Sequence, residues 1–188
     1  MNPLSRRAQL VFGITATLIL SGLSLVAIGS RGNPFSLGFP TSYSCTTPNL
    51  SGTVVNVVLT NMGGPMMGQS NGMIFGGAMR LSTDRATVTS GTTSFLVTNV
   101  GSVSHEMLIL PLPNSQIVGT LPIGGDGRVD EVGSLGEASN TCGEGAGQGI
   151  APGATSWVTV DLAPGRYELI CNLPGHYAAG MYTQLTVS

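Results

Sequence analysis

Lysine is missing from this 188-residue chain altogether. The seven basic residues are arginines (Arg6, Arg7, Arg31, Arg80, Arg85, Arg128 and Arg166), and only the first two are adjacent. A nucleic-acid binder needs a basic stripe or patch, so nucleic acid is set aside as a partner. Charge of either sign is scarce, at 9% of residues where about a quarter is usual. Histidine occurs twice, as His105 and His176, and cysteine three times, as Cys45, Cys142 and Cys171. Helix-forming residues are sparse as well, which weighs against a helical bundle.

What the chain does contain is Val, Thr, Leu and Ile, broken by 28 Gly and 11 Pro. That mixture reads as all-β with frequent turns. Strands are expected at 53–60, in one or two short pieces around Asp84, and at 92–101, 104–112, 155–162, 165–171 and 181–188. About seven or eight strands with turn signals between them fit a Greek-key β-sandwich over residues 51–188. Residues 113–154 form a long glycine-rich excursion, with one helical turn expected near "DEVGSLGEA".

The N-terminus is of another kind. An apolar run from Leu10 to Ile28 is about 19 residues long, just enough to cross a bilayer as a helix. Arg6 and Arg7 would hold its start in the cytoplasm. Residues 1–30 are therefore expected to be a hydrophobic membrane-anchor helix, followed by a Ser/Pro/Gly linker at 31–50. A cleaved signal peptide is the rival, with Ala27 and Gly29 as small residues before a cut. Either reading places the domain outside the cytoplasm, membrane-anchored or secreted.

Three cysteines leave one unpaired in an exported chain. The simplest partition is a Cys45–Cys142 disulfide with Cys171 kept for another task. The plainer alternative is that Cys45 and Cys142 are buried thiols.

The closing stretch "LICNLPGHYAAGMYTQLTVS" answers what Cys171 is for. Four residues separate Cys171 from His176, and four more separate His176 from Met181. Cys171 ends one expected strand and Met181 begins the next, so one short loop gathers a thiolate, an imidazole and a thioether. Such soft donors favour copper over magnesium, calcium or manganese. A blue-copper site also needs a second histidine, and the only candidate is His105, in "VTNVGSVSHEMLIL".

With those residues the chain resembles the cupredoxin family of type 1 blue copper proteins. The C-x4-H-x4-M spacing is similar to that of its rusticyanin, auracyanin and sulfocyanin-like members. The resemblance implies one copper ion held by His105, Cys171, His176 and Met181, and single-electron transfer between Cu(I) and Cu(II). It also implies redox protein partners, and an anchored carrier would meet respiratory membrane complexes. Pro174, Tyr177 and Ala178 are expected as an apolar shell around the Cys171 sulfur, and His176 as the electron port. Where many cupredoxins have Asn or Ser after the early histidine, this chain has Glu106. Strand alternation points Glu106 away from the side that His105 faces.

Other readings stand beside this one. Either histidine could be an ordinary core or surface residue, and Met181 could be core packing. A copper-delivery protein could use the same site together with Met62, Met66, Met67, Met73 and Met79, although those methionines read more simply as a flexible apolar segment. Asp126, Asp130, Glu131, Glu137 and Glu144 make the excursion acidic, which could steer a basic partner but more simply solvates a loop. Multicopper oxidases and copper nitrite reductases need more histidines than two, so no enzyme of that design is expected.

Overall fold

The structure is a computed structural model that describes residues 43–61 and 79–188. The expected N-terminal helix, the linker as far as residue 42, and Met62, Met66, Met67 and Met73 lie outside the described residues. Among the described residues no helix is long and apolar enough to cross a membrane.

Among the described residues nine strands form two sheets. The first sheet runs β2 (Arg80–Thr83), β1 (Thr53–Thr60), β4 (Gly91–Asn99), β7 (Thr155–Leu162). Within it β1 and β4 are parallel, and the other pairs are antiparallel. The second sheet runs β3 (Thr87–Val88), β9 (Tyr182–Val187), β8 (Gly165–Ile170), β5 (Met107–Pro111), β6 (Gly136–Ala138). There β3 and β9 are parallel, and the rest antiparallel. Neighbours distant in sequence, such as β1 beside β4 and β5 beside β8, require the chain to cross between sheets, as a Greek-key sandwich does.

Alternation along the strands explains the core. Val55, Val57 and Leu59 of β1 and Phe95 and Val97 of β4 meet Met107 and Ile109 of β5, Leu169 of β8 and Leu185 of β9. The second sheet is covered on its other face too. Leu108, Leu110 and Ile170, of opposite parity, pack with Val129, Tyr177 and partly Leu121 and Tyr182. A strand buried on both faces carries a continuous apolar run, which is why "MLIL" does not alternate.

Two expectations need correction. The stretch expected to hold a helical turn is instead a tight turn, closed by Ser134 N–H on Glu131 O at 2.9 Å, followed by β6. The strand expected from 104 begins only at Met107; His105 sits ahead of it in an isolated bridge to Ile150. The cysteine partition is as expected: Cys45 and Cys142 form a disulfide across 97 positions, and Cys171 is a buried free thiol.

Candidate metal centre

His105 is completely buried and is placed by its backbone. Its N–H donates to Ile150 O at 3.2 Å, and Ile150 N–H donates to His105 O at 2.6 Å. Thus the end of the long excursion fixes the early histidine. Buried Asn99 shapes the turn ahead of it: Nδ2 donates to Val103 O (2.8 Å) and Ile150 O (2.7 Å), while Oδ1 accepts from Gly101 N–H (2.8 Å). At Gly101 a Cβ would collide with Asn61 Oδ1 and lie 2.9 Å from His105 Nε2, so a larger residue would displace the side chains that set the early histidine.

The second part of the site is the turn between β8 and β9. Cys171 N–H donates to Met181 O at 3.0 Å, and Met181 N–H to His176 O at 3.2 Å, so the base of the loop is closed by its own end residues. Gly175 (φ 82°) and Gly180 (φ 92°) take the left-handed conformations that turn the chain. Gly175 N–H also donates to Gly127 O at 2.9 Å, tying the loop to the excursion.

Three donor atoms converge here. His105 Nδ1 and His176 Nδ1 are 3.2 Å apart, Cys171 Sγ is 3.3 Å from His176 Nδ1, and it is 4.0 Å from His105 Nδ1. A triangle with those edges has one point about 2 Å from every corner, close to metal–nitrogen and metal–sulfur bond lengths. The donor set therefore fits a single metal ion without rearrangement. Among the described residues, these three form the cluster whose ligand atoms lie within 4.8 Å of one another. Met181, the fourth expected ligand, is fully buried in the same core cluster as Cys171.

Protonation suits the same conclusion. Burial, with the neighbouring His176 ring, pushes His105 down to about 4, and burial lowers His176 too. Both rings are neutral near pH 7 and can offer lone pairs. A long contact of 3.4 Å from His105 Nε2 to Asn61 Oδ1 favours the proton on Nε2, leaving Nδ1 free to ligate. Burial pushes the Cys171 thiol up to about 12, so a metal must displace its proton. The Glu106 N–H donates to Cys171 Sγ at 3.4 Å and opposes that rise.

Glu106 lies between the bridge at His105 and the start of β5, outside any strand, so alternation does not decide where its side chain goes. It lines a polar cavity with Arg128, Glu131, Glu137 and Gln148. Burial and then Glu137 push its carboxyl up to about 7.

Tyr177 departs from the expected shell around sulfur. It packs in the second cluster, on the other face of the sheet, and its hydroxyl donates to Glu168 Oε1 at 2.9 Å and accepts from Leu121 N–H at 3.0 Å. Pro174 and Ala178 are exposed. The cluster that holds Cys171 consists of residues such as Met107, Ile150 and Met181, with Leu173 at its edge. Asn61, Asn99, Ile150 and Asn172 were not singled out by sequence reasoning; only Asn99, at a strand end two residues before a turn glycine, carried a local signal.

The sulfocyanin (SoxE) domain family matches residues 48–188. No curated protein matches the chain. Solved structures that the chain is similar to include dithionite-reduced auracyanin from the photosynthetic bacterium Roseiflexus castenholzii. That protein is 19% identical over 74% of this chain and 98% of its own, with a TM-score of 0.44. Rusticyanin from Thiobacillus ferrooxidans is 20% identical over 73% of this chain and 79% of its own, with a TM-score of 0.41. Auracyanin A, a "blue" copper protein from Chloroflexus aurantiacus, is 18% identical over 72% and 99%, with a TM-score of 0.42.

Proposed function

The chain belongs to the sulfocyanin family of cupredoxins, and from that premise we propose that it carries single electrons on one copper ion. The observation that carries the proposal is the buried triangle of His105 Nδ1, Cys171 Sγ and His176 Nδ1. These residues would hold the ion, with the buried Met181 thioether as a further, weaker donor. Bound copper would supply a Cu(I)/Cu(II) couple at constant ligand set.

The protein's part is rigidity. Cys171 and Met181 are joined to strand ends, and His105 is bridged to Ile150, so the donors resist moving when the ion changes charge. His176 is only partly buried, whereas His105 and Cys171 are fully buried. Electrons would therefore pass through the His176 edge to a docked redox protein. Full burial of Cys171 and Met181 favours retention of copper over its delivery to a recipient.

The working place in this proposal is outside the cytoplasm, where a disulfide such as Cys45–Cys142 persists. The apolar run at 10–28 would tether the domain, and membrane respiratory complexes would be its partners. Cyclic redox titration of the copper-loaded protein with a Cu(I) chelator present tests the function. Reversible cycling with copper retained supports a carrier. Loss of Cu(I) to the chelator on the first reduction would replace it with a delivery role.

A further inference from the structure

A polar cavity of about 290 Å³ adjoins Glu106, the residue after His105, and Leu173, two residues after Cys171. Three carboxylates from separate parts of the chain line it: Glu106 before β5, Glu131 in the excursion and Glu137 in β6. Arg128 is the one basic residue in the lining. It forms no ion pair there; among the described residues the ion pair present is Arg85–Asp84.

Glu106 is the independent observation. Its residue is 5% exposed, and its buried Oε1 has no hydrogen-bond donor. A buried carboxylate oxygen without a donor or cation is costly. Glu137 and Glu131 do have donors, from Ser139 Oγ and from Asn172 Nδ2 at 2.8 Å respectively. Of the three carboxyls, Glu106 is the one with a buried oxygen that lacks a donor, although the group as a whole receives the Asn172 N–H.

We propose that this cavity is a second cation site, which takes a hydrated divalent cation of the magnesium or calcium class. Oxygen donors select such hard cations over copper. The three carboxylates do not bring their oxygens within 4.8 Å of one another, so the ion is held in part through its own waters. A cation with about six waters needs on the order of 180 Å³ at about 30 Å³ per water, which the cavity can hold.

The site is coupled to the copper centre through two bonds. The backbone N–H of Glu106 donates to Cys171 Sγ, and Glu131 holds the side chain of Asn172, the residue after Cys171. Positive charge in the cavity favours the less charged Cu(I) state, so occupancy raises the copper reduction potential. By linkage the reduced protein binds the cation more tightly than the oxidised one. This second effect rests on the proposed copper function; cation binding itself does not.

The test is calorimetric titration of Mg2+ and, separately, Ca2+ into the whole protein, with and without copper. One saturable site is expected, with a Kd on the order of 10⁻⁴ to 10⁻³ M, as in extracellular modules. Glu137→Gln, in β6 and not one of the three donors, should weaken it about tenfold, a loss of about 1.4 kcal/mol. Glu106→Gln should weaken it similarly, whereas Glu144→Gln, on an exposed stretch of the excursion, should not. No saturable binding in a folded protein, or equal effects of all three substitutions, would overturn the site. If binding is present but the copper potential stays the same, the coupling fails while the site stands. If the protein proves not to bind copper, the copper-free titration still decides the site.

Discussion

The backbone N–H of Glu106 donates to the sulfur of Cys171 at 3.4 Å, across 65 positions of sequence. One residue thus gives its main chain to the donor triangle and its side chain to a polar cavity shared with Arg128, Glu131 and Glu137. Yet burial still holds the metal-free thiol protonated, with its pKa pushed up to about 12. Since the two histidines are neutral near pH 7, copper binding should release about one proton per ion. Calorimetry in buffers of different ionisation enthalpy measures that number. A value near zero would mean that Cys171 is not the ligand.

The metal-free protein should be destabilised by acid in a defined window. Burial lowers His105 to about 4 from its ordinary 6.5. Between those values the unfolded chain binds more protons than the folded one, so stability falls as pH drops through the window and levels off below about 4. His176 shifts in the same direction. Urea unfolding at neutral pH and in the middle of the window checks this. The slope should be smaller in His105→Phe, which cannot take up the proton.

Asn61 orients the early histidine through Oδ1, which also accepts Ser102 N–H at 2.7 Å. Asn61→Ala should free the ring to change tautomer and weaken copper binding about 10- to 100-fold, the usual effect of losing such a partner. Competition with a copper chelator measures it. Unchanged affinity would mean that the Ile150 bridge alone positions His105.

Tyr177→Phe removes a donor from Glu168, whose carboxylate is fully buried and whose Oε1 also accepts Gly119 N–H at 2.8 Å. A loss of about 1–3 kcal/mol in stability is expected. Because Tyr177 follows His176 in the loop, copper should also leave faster. Thermal unfolding and chelator-driven copper loss separate the two effects.

Much of the site was legible because its residue types are rare. Two histidines and one cysteine left over from a disulfide allow few partitions, and the even spacing of Cys171, His176 and Met181 points to one turn. Alternation was enough to separate the two faces of β5, Met107 and Ile109 from Leu108 and Leu110. It was not enough for Tyr177, because a residue within a tight turn has no period of two to follow. The strand β6 was missed since "GEA" has no strand pattern; it is extended because Met107, Leu108 and Ile109 pair with it. Nor could the loop pattern around Ile150 reveal the bridge that positions His105, since that contact spans 45 residues and depends on how the excursion folds back.

The most direct test of the account is the visible absorption spectrum of the purified protein with one equivalent of Cu(II), beside Cys171→Ser. An intense thiolate-to-copper charge-transfer band, present in the parent and lost in the variant, is the predicted result. A folded, reduced protein that binds no copper, or a band that survives in Cys171→Ser, would contradict it.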